Sequence, residues 1–319
     1  MRVLVTGGLG YIGRAVTVRL AEAGHDVTIL ARSRPDPPAH AELLHGDLRD
    51  RDRVFDLVAD GGFAGVCHLA GRTRGRESFS DPVGYYDTNL SGTVNLLRGL
   101  AEVTRRSGEP ARLVFASTVM VYGPSNGQPI DEQHEAAPMS PYGASKLACE
   151  QLLAYQAATG TLGAISLRVF AAAGAVGRHG DRDLGRLIPK ALAVARGEAP
   201  YFEVNGDGSA VREFTHVADV AEAYLQALEA AKPGKHEVYN IGTGSGITVR
   251  EILAMVEEIT GRPVPVRHRP AQPEPAALIA DNRRARDLLG WQPTRSSLRQ
   301  IIVDAWQAEV SSAEPVTRR

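Results

Sequence analysis

Tyr142 and Lys146 form the pair in this chain best suited to moving a proton. They lie in Ser140-Pro-Tyr-Gly-Ala-Ser-Lys146, which reads as the start of a helix. Ser140 suits the N-cap, and Pro141 suits the first helical position, where no backbone donor is needed. Ala148, Leu152 and Tyr155 follow at helical spacing, and Gly160 closes the element. A four-residue spacing places the phenol and the ammonium on one helical face, a single turn apart. A phenol ordinarily ionises near pH 10, and a nearby cation favours the phenolate. Reaching neutrality requires a shift of ~3 units, or roughly 4 kcal/mol. The same spacing also describes an ordinary surface pair, so its meaning depends on what surrounds it.

The elements that would surround it begin at the N-terminus. Val3-Leu4-Val5 reads as a short buried strand, followed by Thr6-Gly7-Gly8-Leu9-Gly10-Tyr11-Ile12-Gly13. A helix then runs to about Ala23, Gly24 stops it, and Val27-Thr28-Ile29-Leu30 is the next strand. Strand, glycine loop, helix and strand in this order form a dinucleotide-binding unit. The glycines let backbone approach a pyrophosphate, which then faces the positive end of a helix. The spacing Gly7-x-x-Gly10-x-x-Gly13 differs from the commoner G-x-G-x-x-G. Past the second strand, where NAD enzymes carry an acid for the ribose, stands Ala31-Arg32-Ser33-Arg34. Arg32 could pair with a 2′-phosphate, which favours NADP over NAD, unless these arginines are simply solvated loop charges.

Further strand–helix units follow. Gly46-Asp47-Leu48 places a carboxylate where it could bond an adenine amino group. Val66-Cys67-His68-Leu69-Ala70-Gly71 is a buried strand with small residues at its end, over which a cofactor could lie. A long helix from about Pro82 to Arg106 carries Asn89, and Leu113 to Thr118 is a strand ending in hydroxyls. This alternation predicts an α/β fold, a doubly wound parallel Rossmann sheet with its site at the strand C-termini. Arg72, Arg74 and Arg76 follow a strand end and could meet an anion, although a solvated loop is the favoured reading. After Phe170 the segments become shorter and richer in Gly, Pro and Arg, as in a smaller substrate-binding lobe over the sheet's carboxyl edge. The expected division is 1–170 for the Rossmann part, rejoined at about 214–225 and 236–247. Residues 171–213 and 248–310 form the C-terminal lobe, and 311–319 a flexible tail.

Composition excludes other classes. Hydrophobic residues make up 43% of the 319 and charged residues 23%, with a formal net charge of −1. No global field recruits a nucleic acid polymer or an anionic membrane. No apolar run approaches ~18 residues, the length a membrane span requires. Met1 to Thr6 runs directly into the glycine loop, which reads as a chain without a secretory leader and predicts a cytoplasmic protein. Cys67 and Cys149 fall in a strand and a helix as small core residues. The nine histidines form no ligand cluster, so no metal is expected.

Together these motifs resemble the extended short-chain dehydrogenase/reductases, and within them the nucleotide-sugar 4-epimerase group. The carriers are the Thr6–Gly13 loop, Gly46-Asp-Leu48, His68-Leu-Ala-Gly71, Asn89-x-x-Gly92-Thr93, Ser117 to Gly123, Pro141 to Lys146, and Val211-Arg212-Glu-Phe-Thr-His-Val217. The resemblance spans nearly the whole chain. It implies that Tyr142 takes a proton from a sugar hydroxyl while hydride passes to a nicotinamide. Lys146 would hold the nicotinamide ribose and lower the phenol pKa, and Thr118 would bond the reacting oxygen. Gly7, Gly10, Tyr11, Ile12, Gly13, Arg32, Ser33, Asp47, Leu48, Leu69, Ala70, Gly71, Asn89, Ser117 and Phe170 would join Tyr142 and Lys146 in holding NADP or NAD. Arg212 matches an arginine that grips the substrate diphosphate.

Relatives that eliminate water or decarboxylate carry a Glu just before Val-Tyr-Gly. Val119 and Met120 stand in that neighbourhood here and cannot move protons, which leaves epimerisation or simple ketone reduction. The substrate positions depart from the pattern at Ala171, where Asn is usual, and at Arg186, where Asn is expected before Leu-Ile-Pro. Asn205 replaces an aromatic residue, and Arg269 begins a degraded Arg-x-Gly-Asp. The expected activity is therefore nucleotide-sugar epimerisation at C4, through a 4-keto intermediate. The alternatives are an NADPH-consuming ketoreductase of a keto-sugar nucleotide and a non-catalytic dinucleotide sensor. The resemblance also implies a homodimer that pairs the helices at about 82–106 and 142–158.

Overall fold

The computed structural model describes residues 1–33, 37–38, 41–123, 127–271 and 277–313. Seven parallel strands form the central sheet: β1 (Arg2–Thr6), β2 (Asp26–Ala31), β3 (Ala41–His45), β4 (Gly65–His68), β5 (Ala111–Thr118), β6 (Leu162–Val169) and β7 (His236–Ile241). Their spatial order is β7-β6-β5-β4-β1-β2-β3. Central strands such as Val3-Leu4-Val5 are apolar at consecutive positions because helices cover both faces. The chain moves outward from β1 through β2 to β3, then returns to place β4 on the other flank of β1. Such a reversal opens a crevice at the strand C-termini, and here Thr6 of β1 lies beside His68 of β4.

Helices α1 (Tyr11–Glu22) and α7 (Val217–Ala230) cover one face, with Val16, Leu20, Val220 and Tyr224 buried against Val3 and Val5. On the other face, α2 (Arg51–Gly61), α4 (Gly92–Ser107) and α5 (Pro141–Ala158) bury Val58, Leu96, Leu100 and Leu153 against Leu4, Leu113 and Phe115. A further core joins α6 (Leu187–Ala195), α8 (Val249–Thr260) and α10 (Leu298–Ala313) around Phe202, Val204 and Ile252. The remaining helix, α9 (Arg283–Leu289), and Trp291 pack back onto the sheet, where Trp291 Nε1 donates to Asp219 O at 2.8 Å.

Two expectations from sequence change. The helix expected from about Pro82 to Arg106 is broken into α3 (Pro82–Tyr86), a π-helical turn at Asp87–Ser91 and α4. Asn89 sits in that turn, and its side chain bonds to Arg72 and Ser145. An inserted π turn of this kind re-aims side chains that a regular helix would face elsewhere. The tail expected at 311–319 begins as helix, since α10 continues to Ala313, while 314–319 lie outside the described residues. Among the described residues no helix is long and apolar enough to cross a membrane.

Candidate active site

One cleft of about 1530 Å³ runs along the C-terminal ends of β1, β2, β4, β5 and β6 and under α6. Its first wall is the glycine loop. Gly7 has φ +74°, and a Cβ there would lie 2.7 Å from Ala70 N. A Cβ on Gly13 would fall 2.1 Å from Gly7 O. The loop is therefore closed against the end of β4, and Gly10 begins α1 without any side-chain cap on its free N–H groups. Uncapped donors at the end of a 12-residue helix form an anion site, so the cradle fits the pyrophosphate of a dinucleotide.

Thr6, His68 and Thr93 brace this wall from behind. His68 Nδ1 is 2.7 Å from Thr6 Oγ1, and His68 Nε2 is 2.9 Å from Thr93 Oγ1. Thr93 donates its own proton to Asn89 O at 2.6 Å, so His68 is the donor at Nε2. Burial, helped by the Lys146 charge, pushes its pKa down to about 3. Farther along, Arg49 forks onto Asp47 and holds that carboxyl below its ordinary range. Arg32 and Ser33 lie on the cleft wall close by, with Arg32 adding a smaller pull on Asp47.

The second wall carries the proton-moving groups. Ser140 Oγ accepts from Gly143 N at 3.1 Å and Pro141 occupies the first turn, so α5 begins where its sequence signals place it. Tyr142 and Lys146 are 7% and 2% exposed, and both line the cleft beside Thr118 and Ser117 at the end of β5. The Lys146 ammonium lies 4.7 Å from the Phe115 ring centroid. Burial lowers its pKa to about 8, against the opposing pull of Cys149 and Glu150. The phenol moves the other way. Burial raises the Tyr142 pKa, while a hydrogen bond with Thr118 and the charge of Arg186 lower it. Arg186, a cation that the spacing does not reveal, thus pulls on the phenol from a different segment. Without a further positive charge Tyr142 stays a neutral phenol at pH 7.

The third wall comes from segments beyond Phe170. Ala171, Arg186, Asn205 and Arg212 all line it. Arg186 precedes α6, and its guanidinium donates to Asp181 Oδ2 at 3.0 Å. Asn205 ends the strand Phe202–Asn205, which pairs in parallel with Val266–Arg269. Two expected contacts do not reach the wall. Asn89 lies behind Gly71, where its side chain accepts from Arg72 N at 2.8 Å and donates to Ser145 Oγ at 2.9 Å. Arg269 lies off the wall as well, with its guanidinium bonded to Glu203. The other expected cofactor residues, from Gly7 through Phe170, line the cleft.

Sequence reasoning passed over Lys190, Phe202, Glu203 and Leu278, which also line it. Lys190 was readable in principle, being one helical turn beyond Arg186 on the same face. Glu203 and Leu278 sit on short strands with no local signal of their side. Arg72, left open as a loop charge, stacks 4.2 Å over the Tyr85 ring and bonds Glu77 and Asp81.

Comparisons with known proteins agree with this arrangement. Residues 3–242 match the model of the NAD dependent epimerase/dehydratase family. A UDP-glucose 4-epimerase from Corynebacterium glutamicum is 39% identical, over 96% of this chain and 95% of the relative. One from Streptomyces lividans is also 39% identical, over 95% and 94%. Among solved structures, a UDP-glucose 4-epimerase from Stenotrophomonas maltophila with bound NAD and formylated UDP-arabinopyranose superposes with a TM-score of 0.89. It is 34% identical and covers 98% of this chain and 99% of its own.

Proposed function

The chain belongs to the NAD dependent epimerase/dehydratase family, within the extended short-chain dehydrogenase/reductases, and is a nucleotide-sugar epimerase; on that premise we propose that it interconverts the C4 epimers of a UDP-hexose. The observation that carries the reaction is the convergence of Thr118, Tyr142 and Lys146 in the same cleft as the glycine cradle. When bound, nicotinamide supplies the acceptor, and later the donor, of a hydride. Tyr142 takes the proton of the C4 hydroxyl as the C4–H bond gives up its electron pair, and returns that proton when hydride comes back to the opposite face. Thr118 bonds the reacting oxygen throughout. Lys146 holds the nicotinamide ribose, and Arg212 takes the diphosphate. Because burial raises the Tyr142 pKa, the phenol depends on the positive charge of the oxidised cofactor as well as on Arg186.

For the resident cofactor we propose NAD, supported by the NAD found in the solved neighbour. Arg32, exposed beside the Asp47–Arg49 pair, is the residue that would take a 2′-phosphate, and mass spectrometry of the released cofactor decides between NAD and NADP. A homodimer is supported by Phe79, Val83 and Tyr155, apolar and exposed on or beside α3 and α5. Light scattering of the purified protein reads it directly. We also divide the chain into a cofactor part and a substrate lobe near residue 170, with 283–291 assigned back to the cofactor part because Ala285 and Trp291 are buried in its core.

The activity test is incubation with UDP-galactose and no added cofactor. Appearance of UDP-glucose is expected, with kcat falling roughly 10²- to 10⁴-fold in Tyr142→Phe. Stoichiometric loss of NADPH absorbance without epimerisation would instead make the protein a ketoreductase.

A further inference from the structure

The buried charges that this mechanism leaves unused form one chain of contacts behind Lys146. Glu150, one turn past Lys146 on α5, is 3% exposed, and Arg168 on β6 is 6% exposed. Arg168 grips Glu150 twice, from Nε to Oε1 at 3.0 Å and from Nη2 to Oε2 at 2.6 Å. Ser117 Oγ donates to the same Oε1. Ser117 precedes Thr118 and sits opposite Arg168 in the register of β5 and β6. The Arg168 guanidinium lies 4.6 Å from the Tyr122 ring centroid, and Tyr122 donates to Asn240 Oδ1 on β7 at 2.7 Å.

A buried ion pair is a poor source of stability, because desolvating both charges offsets their attraction, and apolar side chains of similar volume often serve a fold as well. A carboxylate at this place does two things that an apolar group does not. It accepts a bond from the residue beside Thr118, and it puts a negative charge one turn from a buried ammonium. We propose that Glu150 is a positioning residue, fixing the strand end that bears Thr118 against the helix face that bears Tyr142 and Lys146 and keeping the Lys146 ammonium charged. This rests on the roles proposed above for those three residues.

The groups facing Glu150 are Ser117 from β5, Arg168 from β6, His236 from β7, and Lys146 and Cys149 on its own helix. Its negative charge opposes the effect of burial on both Lys146 and His236. With Glu150 neutral and Arg168 intact, Lys146 keeps its buried site and loses that carboxylate. It then gives up its proton at a lower pH.

The experiment uses the whole protein and the variants Glu150→Gln and Glu150→Gln/Arg168→Met. The chain has four lysines, Lys146, Lys190, Lys232 and Lys235, so the side-chain NMR signal of Lys146 can be assigned by its loss in Lys146→Met. In cofactor-free Glu150→Gln the Lys146 midpoint is expected at least about one unit below wild type, the effect of removing a nearby charge. In the loaded enzyme kcat at pH 8 is expected to fall about tenfold or more, with KM within about twofold and part of the loss recovered at pH 6. The double variant removes both charges. It is expected to regain thermal stability while its kcat stays low, whereas a merely structural pair would let both return. An unchanged Lys146 midpoint in Glu150→Gln, or wild-type kcat in the double variant, would overturn the proposal. The NMR arm needs no turnover, so a wild type inactive on UDP-hexoses would sink the proposed function and still leave Glu150 tested.

Discussion

The glycine-loop wall of the cleft is shaped by the exclusion of atoms, and the wall beyond Phe170 by the balance of charges. At Gly7 and Gly13 no side chain fits, because backbone stands 2.7 Å and 2.1 Å from where a Cβ would be. On the opposite side Arg186 is held by Asp181, and Lys190 and Arg269 both face Glu203. The first wall tolerates almost no change and suits a ligand part of fixed shape, such as the pyrophosphate of a dinucleotide. The second is made of pairs that can be exchanged without moving the backbone. Ala171, Arg186 and Asn205, which the sequence reading singled out as departures from the family pattern, line this second wall.

The contrast is breakable. Gly13→Ala carries the largest expected effect: protein purified without bound nicotinamide and a melting temperature several degrees lower, since overpacking costs typically ~1–3 kcal/mol. Normal cofactor content in that variant would show the loop to be yielding. Arg212→Met comes next. Losing a charge-assisted bond to phosphate is worth ~1.5–3 kcal/mol, so KM for the sugar nucleotide should rise about tenfold to a hundredfold with cofactor content unchanged.

His68 tests the rigid wall through pH. Its folded pKa, about 3, lies below the ordinary 6.5, so its contribution to stability is complete above pH 6.5 and is lost as pH falls toward 3. Between pH 6.5 and 5 the loss is on the order of 2 kcal/mol. Urea titrations at the two pH values should show it, and His68→Asn, less stable throughout, should show a flatter acid limb. The smallest effect is expected at Arg269→Ala. Exposed ion pairs contribute ~0–1 kcal/mol, so stability should fall by no more than about 1 kcal/mol and KM should change by less than about fivefold. A tenfold rise in KM would mean that Arg269 reaches the substrate after all and that the exchangeable pairs are not idle.

The difference between the walls also explains what could be read from the chain. The glycine loop, the cap at Ser140 and the strand ends are signalled within a few residues, because tight turns, caps and helical spacing are local matters. Asn89 was less legible, since a π turn re-aims it toward Ser145 and Arg72, and nothing in Asp87–Ser91 announces that turn. Glu203 and Leu278 could not be read at all, lying on strands whose partners are distant in the chain.

By itself the sequence determined the parallel α/β architecture, the cradle, and the placing of Tyr142 and Lys146 on one helical face. Short-range sterics and a 3.6-residue period suffice for these. Only the tertiary structure decided how those groups ionise and which cations are already engaged. Burial raises the Tyr142 phenol, Arg186 from a different segment is the charge that lowers it, Glu150 of α5 answers to Arg168 of β6, and Arg269 is held by Glu203. Desolvation and charge pairing depend on what the folded chain brings opposite a group, and spacing along the chain carries no record of that.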